Sequence, residues 1–165
     1  MNLLSLLLPL LLLGAIKLLP DAIALVVRRH QNKKLALLGI EDIDRLGGRD
    51  FERLLTQVFW ERGAKVVLTP RCNDWGADLV IEKEGIRTVV QAKRWRGRVG
   101  VKAVQEVVAS KAVYKAERAM VVTNSTFTKA AIELARKNEV ELWGRDELIE
   151  RLLLLQILTR CVKQA

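Results

Sequence analysis

Apolar and polar residues are arranged in three different patterns along the chain. Residues 3–27 are almost uniformly apolar, and this run of 25 residues exceeds the ~20 that a helix needs to cross a bilayer. Residues 51–59 repeat apolar positions at helical spacing, whereas residues 65–93 hold short stretches rich in β-branched residues. The patterns therefore predict an apolar N-terminal segment followed by a domain of helices and strands.

The pattern of the domain predicts a mixed sheet. We expect a helix with Asp50 as its N-cap and Gly63 at its end, then three strands, then helices that alternate with strands. The predicted strands are residues 65–69, 78–82, 86–93, 118–123 and 140–143, and the predicted later helices are residues 101–114, 126–138 and 146–158. A turn at Glu84 and Gly85 joins the second and third strands. This order predicts an α/β fold, one mixed β-sheet flanked by helices.

The apolar N-terminus predicts a single transmembrane helix. A signal peptide is disfavoured because no positive residue precedes the run and no small-x-small cleavage site follows at a suitable distance. A short buried hairpin or a membrane-surface helix is the alternative. Residues 28–34 carry four Lys or Arg side chains, which favour the cytoplasmic side of a membrane. We therefore expect residues 1–34 to be an anchor with its basic flank, and the remaining chain to be cytosolic.

Charge and composition limit the ligands that the domain can bind and the residues that can act in catalysis. The net charge is +9, and residues 85–104 contain six Lys or Arg side chains and no acid. Within this segment Trp95, Gly97 and Gly100 lie between the cations, a pattern that suits a polyanion such as a nucleic-acid backbone. The only histidine is His30, outside the predicted domain, so catalytic triads and histidine bases are excluded there. Catalysis would depend on carboxylates, lysine, arginine and a metal held by oxygen ligands.

One group of polar residues interrupts the predicted central strands. Asp78 opens the second strand, and Gln91 and Lys93 lie on the third with Ala92 between them. Because side chains alternate across a strand, Gln91 and Lys93 share a face, and the hairpin turn brings Asp78 near them. A carboxylate, an amide oxygen and an ammonium suit a Mg²⁺ site beside a phosphate. The cluster is therefore the candidate catalytic site.

Four short segments resemble a known family. GRDFERLL, DWGADLVI, VVQAKRW and MVVTNSTFTKAA, in this order and spacing, resemble the catalytic domain of Mrr-type restriction endonucleases in the PD-(D/E)xK nuclease superfamily. The resemblance covers residues 47–149 and implies a restriction-endonuclease-like fold over residues 47–150. Residues 35–46 would be a linker or short helix before this domain, and residues 151–165 the end of the C-terminal helix. The family often replaces the second acid of its ExK motif by glutamine, which Gln91 matches.

The resemblance also implies roles for individual residues. Asp78 would be the central metal ligand, Gln91 a ligand or the residue that positions a metal-bound water, and the Ala92 carbonyl a further ligand. Lys93 would be the catalytic lysine, and Glu52 in the first helix the acid that completes the site. The implied cofactor is Mg²⁺, with Mn²⁺ as a substitute. The motif also contains Asp74, whose role is less defined, and Gly76, which lets the loop enter the site.

Taken together, the sequence predicts a membrane-anchored, Mg²⁺-dependent deoxyribonuclease similar to type IV restriction endonucleases. It would lie in the bacterial inner membrane with its catalytic domain in the cytoplasm, and act in restriction or in defence against foreign DNA. The residues expected to bind DNA are Arg94, Trp95, Arg96, Arg98 and Lys102. A non-catalytic nucleic-acid tether and a junction-resolving nuclease are the alternatives. A homodimer is expected, with the leucines at 152–155 either at its interface or in the core.

Two smaller expectations concern side chains near the site. Thr123, Ser125 and Thr126 are interpreted as caps of the following helix rather than as phosphate contacts. The four tryptophans are interpreted as core or rim residues, with Trp95 as the one worth testing for a role in binding.

Overall fold

The computed structural model describes residues 40–70 and 75–164. These residues form five helices and a five-stranded sheet. The helices are α1 (Ile40–Ile43), α2 (Gly48–Glu61), α3 (Val101–Val113), α4 (Lys129–Lys137) and α5 (Arg145–Gln164). The strands are β1 (Lys65–Leu68), β2 (Leu79–Lys83), β3 (Ile86–Lys93), β4 (Arg118–Thr123) and β5 (Val140–Trp143).

The strands lie in the sheet in the same order as in the chain. β1, β2 and β3 pair antiparallel, whereas β4 pairs parallel with β3 and β5 parallel with β4. A two-residue turn joins the antiparallel strands β2 and β3, and the parallel neighbours need the crossovers that α3 and α4 supply. The turn between β2 and β3 has positive φ angles at both Glu84 and Gly85, as a two-residue hairpin requires. The predicted mixed α/β sheet is therefore confirmed.

Helices cover both faces of this sheet. α2 and α5 pack on one face around large apolar side chains, including Phe51, Leu54 and Leu148. α3 and α4 pack on the other face around smaller side chains, including Val104 and Ala131. The strand residues alternate between these two clusters, as the pleat of a sheet requires.

Several predicted boundaries differ from the structure. The first long helix begins at Gly48 with Gly47 as its N-cap, so the expectation that Asp50 is the cap is wrong; Asp50 instead lies in the first turn and pairs with Arg53. α4 begins at Lys129, and its N-cap is Thr128, whose hydroxyl accepts a hydrogen bond from the backbone N–H of Ala131. These errors concern local capping choices that the apolar spacing does not resolve.

The leucines at the end of the domain divide between two environments. Leu152 and Leu155 are buried in the core under α2, whereas Leu153, Leu154 and Ile157 are exposed on the outer side of α5. The helical period separates them, because neighbours in sequence point about 100° apart. The core interpretation therefore holds for Leu152 and Leu155, while an interface at the exposed positions stays a prediction.

The predicted membrane segment at residues 3–27 and its basic flank lie outside the described residues. Across residues 40–70 and 75–164, every helix is too short or too polar to span a bilayer.

Candidate active site

Two neighbouring strands bring the predicted catalytic residues together at one end of the sheet. In the β2–β3 register Leu79 lies opposite Val90, and the backbone N–H of Asp78 donates to the Val90 carbonyl at 2.9 Å. Asp78 therefore lies beside Gln91, two positions before the end of β3 at Lys93. The hairpin turn fixes this register, so residues 13 apart in sequence meet without a long loop.

The carboxylate of Asp78 is the centre of this group. Its Oδ2 accepts a hydrogen bond from the backbone N–H of Ala92 at 2.7 Å and a second from the side-chain Nε2 of Gln91. Gln91 is buried, with 5% of its surface exposed, although an amide offers no packing advantage there. A buried amide costs free energy unless it is hydrogen-bonded, so the bond to Asp78 stabilises the buried position of Gln91.

Lys93 reaches across to helix α3. Its Nζ lies 3.0 Å from Oε2 of Glu106, while the other Glu106 oxygen lies 3.9 Å from Nζ of Lys102. About a third of each side chain of the Lys93–Glu106 pair is exposed. The ion pair therefore fixes the direction of the Lys93 ammonium while leaving it accessible to a ligand.

Glu106 was not predicted from the sequence. It borders the buried stripe of α3 formed by Ala103, Val107 and Ser110, which face the sheet. A charged residue next to an apolar stripe is usually an ordinary boundary position of an amphipathic helix. Its place between Val104 and Val107 indicated a residue near the buried side of the helix. Only the packing of α3 on the sheet shows that the Glu106 carboxylate contacts Lys93.

Gly76 allows α3 to approach the loop that leads into β2. Its φ is +84°, and a Cβ at this position would lie 2.7 Å from the backbone oxygen of Glu106. Any side chain here would displace the helix turn that carries Glu106 or the loop that carries Asp78. The prediction that the motif glycine lets this loop enter the site therefore has a specific cause, which is contact with α3.

The backbone after Lys93 is held by the loop that follows β4. The hydroxyl of Thr123, which is fully buried, donates to the Lys93 carbonyl at 2.6 Å. The side-chain oxygen of Asn124 accepts from the backbone N–H of Trp95 at 2.7 Å. Thr123 was expected to cap the next helix, and this was wrong because its hydroxyl secures the end of β3 instead.

The other predicted site residues lie in different surroundings. The carboxylate of Glu52, on α2, accepts from Arg49 at 2.6 Å. Ala92 is partly buried against the apolar cluster under α2, on the face opposite to Gln91 and Lys93, as strand alternation predicts. Asp74 lies outside the described residues.

The donor atoms near Asp78 fit a hard divalent cation. Across residues 40–70 and 75–164 there is no group of three or more His, Cys, Asp or Glu side chains that could hold a metal. Asp78, the Gln91 amide and the Ala92 carbonyl nevertheless offer oxygen ligands of the type Mg²⁺ accepts together with water and phosphate. Gln91 now directs Nε2 toward Asp78, and a half-turn of its amide would present the oxygen instead. The described residues thus fit a Mg²⁺ site with a mixed set of ligands.

The loop between β3 and α3 carries the predicted DNA-binding residues except Lys102, which lies in the first turn of α3, and most of the five are exposed. Trp95, Arg96, Arg98 and Lys102 all project into solvent. Arg94 is different: its guanidinium donates to the backbone carbonyl of Asp44 at 3.3 Å, and its Nε is buried without a partner among the described residues. The structure therefore separates Arg94 from the other four.

Two open clefts meet at Trp95. The lysine cleft, of about 400 Å³, is lined by Lys93, Trp95, Arg98, Val99, Gly100, Lys102, Ala103 and Glu106. The arginine cleft, of about 380 Å³, is lined by Asp44, Trp95, Arg96, Asn124, Ser125, Thr126 and Arg145. Trp95 is the residue that borders both clefts, and the first of them includes Lys93.

A polar cluster closes the floor of the arginine cleft. Oδ1 of Asp44 accepts from Arg145 and from the amide of Asn124, each at 2.8 Å. The Arg145 guanidinium holds the pKa of Asp44 below its usual value, and Asp44 in turn raises the pKa of Arg145. This cluster joins the loop after α1, the loop after β4 and the start of α5. It thereby fixes Asn124, which positions Trp95.

Comparisons with known proteins agree with this architecture. The family profile Mrr_cat, described as a restriction endonuclease, matches residues 43–152, two thirds of the chain. A comparison with curated protein sequences finds no match.

Three solved structures match this chain at low sequence identity. A protein of unknown function, AF1548, is 18% identical with a TM-score of 0.50, over 56% of this chain and 55% of that one. The DNA modification-dependent restriction endonuclease AspBHI is 20% identical with a TM-score of 0.53, over 74% of this chain and 35% of that one. The MspJI restriction endonuclease, solved with a 27-mer oligonucleotide, is 20% identical with a TM-score of 0.45, over 79% of this chain and 30% of that one. The chain thus spans about half of AF1548 and a third of each restriction enzyme.

Proposed function

We propose that this chain, which belongs to the Mrr catalytic-domain family of restriction endonucleases, is a Mg²⁺-dependent endonuclease that hydrolyses phosphodiester bonds in DNA. One observation carries the proposal: Asp78, Gln91 and Lys93 converge at one sheet end, beside a loop of exposed cations. A hard-cation site next to an ammonium and a basic surface is the arrangement that phosphodiester hydrolysis needs.

The metal site would be held by Asp78, the Gln91 amide and the Ala92 carbonyl, with Mn²⁺ as a substitute for Mg²⁺. When bound, the ion would supply Lewis acidity toward the phosphate and its attacking water. The bond between the water oxygen and phosphorus would form while the bond from phosphorus to the 3′ oxygen breaks. The attacking water would release a proton to solvent, and the leaving 3′ oxygen would take one from solvent. Negative charge on the phosphoryl oxygens grows during this step.

Lys93 is placed to stabilise that charge. Its Nζ is oriented by Glu106 at 3.0 Å, and the carbonyl of Lys93 is fixed by Thr123 at 2.6 Å. A preorganised cation requires little rearrangement when charge develops, which is the main electrostatic advantage of an enzyme site. Glu52, whose carboxylate accepts from Arg49, enters the proposal as the acid that completes the site on the motif resemblance alone.

The proposal also includes a membrane anchor. The support is the apolar run at residues 3–27 and the basic flank at residues 28–34, which favour a single pass with the nuclease domain in the cytoplasm. Localisation at the bacterial inner membrane would place cleavage where foreign DNA enters the cell. The exposed Leu153, Leu154 and Ile157 on α5 support a homodimer, the common arrangement for enzymes that cut both strands.

The test is cleavage of plasmid DNA by the purified full chain in a mild detergent. The wild type should nick or linearise plasmid with Mg²⁺ or Mn²⁺ and be inactive with EDTA. Lys93→Ala should lower the rate about 10²–10³-fold while binding of Mn²⁺ is retained, because its task is in the transition state. Asp78→Asn should lose both cleavage and metal binding.

Two matched variants control for unspecific effects. Lys65→Ala removes an exposed lysine at the far end of β1, and Asp146→Asn removes an exposed carboxylate at the start of α5. Both should cut like the wild type. Metal-independent cleavage, or a Lys93→Ala protein as active as Lys65→Ala, would refute the proposed nuclease site.

A further inference from the structure

Trp95 is an exposed aromatic residue beside the candidate site, and it borders both clefts. Its side chain is 62% exposed, two positions after Lys93 in sequence. The indole forms a wall of the lysine cleft and of the arginine cleft. A ligand lying across Lys93 would therefore meet the indole face.

The loop that presents Trp95 is fixed rather than loose. The backbone N–H of Trp95 donates to Asn124, and the hydroxyl of Ser125 donates to the Gly97 carbonyl at 2.7 Å. Gly97 lies so close that a Cβ on it would be 3.3 Å from the indole nitrogen. The indole is thus held in a fixed place beside two clefts, with its exposed surface available to a ligand that enters either of them.

The charges around the indole indicate the class of ligand. Arg96, Arg98 and Lys102 are all exposed in the walls of the two clefts. Aromatic side chains flanked by cations bind single-stranded nucleic acid, in which bases stack on the ring and phosphates contact the cations. In a duplex the bases already stack on one another, so an indole at the surface finds no free base.

We propose that Trp95 is a stacking platform for an unpaired base next to Lys93, and that the enzyme acts on single-stranded or locally unpaired DNA. A second indole, Trp75, is also 62% exposed and precedes Gly76, which touches the turn of α3 that lines the lysine cleft. Both tryptophans thus lie at the sheet end that holds Asp78 and Lys93. The proposal rests on the proposed nuclease function, of which it names the substrate.

The experiment measures binding without cleavage. Fluorescence anisotropy in EDTA compares a labelled oligothymidylate with a labelled duplex of the same length, using the full chain in a mild detergent. Trp95→Ala should weaken binding of the single strand roughly 5- to 100-fold, while binding of the duplex changes by less than about twofold. Trp95→Phe should retain most of the affinity because it keeps an aromatic face.

The matched control is Trp60→Ala. Trp60 is 51% exposed near the end of α2 and borders neither cleft, so both substrates should bind as in the wild type. An equal loss for single strand and duplex, no loss at all, or no binding of single strand by the wild type would overturn the proposal. Because no metal is present, this result is independent of cleavage. Absence of metal-dependent cleavage on both plasmid and single-stranded DNA would refute the nuclease and leave the binding result unchanged.

Discussion

The two faces of the sheet are packed with side chains of different size. Under α2 and α5 the core consists mainly of large side chains, Leu above all, and the ring of Phe59 stacks on Trp143 with centroids 5.1 Å apart. Under α3 and α4 the core consists mainly of Val and Ala. Each large side chain buried on the first face removes more apolar area from water than a Val or Ala on the second, so it contributes more hydrophobic stabilisation.

The face with small side chains is the one that carries the candidate chemistry. Gln91 and Lys93 point to this face, and α3 approaches closely enough for Glu106 to meet Lys93 and for its backbone to touch Gly76. Larger core residues would hold the helix farther out, beyond the reach of a lysine side chain. The comparison indicates different roles for the two faces. The face with large side chains mainly stabilises the domain, whereas the small side chains of the other face allow α3 to lie close to the sheet, where its Glu106 contacts Lys93.

The largest expected effect is on stability and comes from the face with large side chains. Phe51 is completely buried there, so Phe51→Ala should lower the free energy of unfolding by about 3–5 kcal/mol. Val104→Ala on the other face should cost less, because it removes fewer buried atoms. Thermal unfolding followed by circular dichroism measures both variants. A greater loss from Val104→Ala would contradict the division between the faces.

The next effect tests the close approach of α3. Gly76→Ala places a Cβ against the Glu106 backbone and should cost roughly 3 kcal/mol of stability, with a clear loss of cleavage. Gly85→Ala is the matched control, because Gly85 has a similar φ of +80° but no atom within 4 Å of the added Cβ. It should cost about 1–2 kcal/mol and leave cleavage by the folded protein unchanged. Equal effects of the two variants on cleavage would show that contact with α3 is irrelevant to the site.

The smallest effect concerns the orientation of Lys93. Glu106→Gln keeps the shape of the side chain but removes its charge, and should lower kcat about tenfold, since a charge-assisted hydrogen bond at a partly exposed site is lost. Glu133→Gln is the control, because Glu133 pairs with Lys137 at 3.1 Å on the surface of α4. Steady-state kinetics on plasmid DNA distinguishes them. An active Glu106→Gln enzyme with unchanged kcat would mean that Lys93 needs no counter-ion.

Local patterns in the sequence predicted much of the fold. The alternation of residues 86–93 placed Gln91 and Lys93 on one face, and Glu84 with Gly85 gave the turn that sets the register of Asp78. Both features depend on neighbours in the chain, whose geometry is set by the strand pleat and by the turn. The helix caps were less predictable, because several residues near each helix start were able to cap it.

What the sequence determined by itself was therefore the order of elements, the mixed sheet and the meeting of Asp78 with Gln91, because each follows from spacing within a strand or hairpin. Only the tertiary structure decided that Glu106 pairs with Lys93, that Thr123 secures the end of β3 and that Arg94 bonds to the backbone of Asp44. These contacts join residues 13 to 50 positions apart across separate elements. Their partners depend on how helices and loops dock on the sheet, which no local pattern specifies.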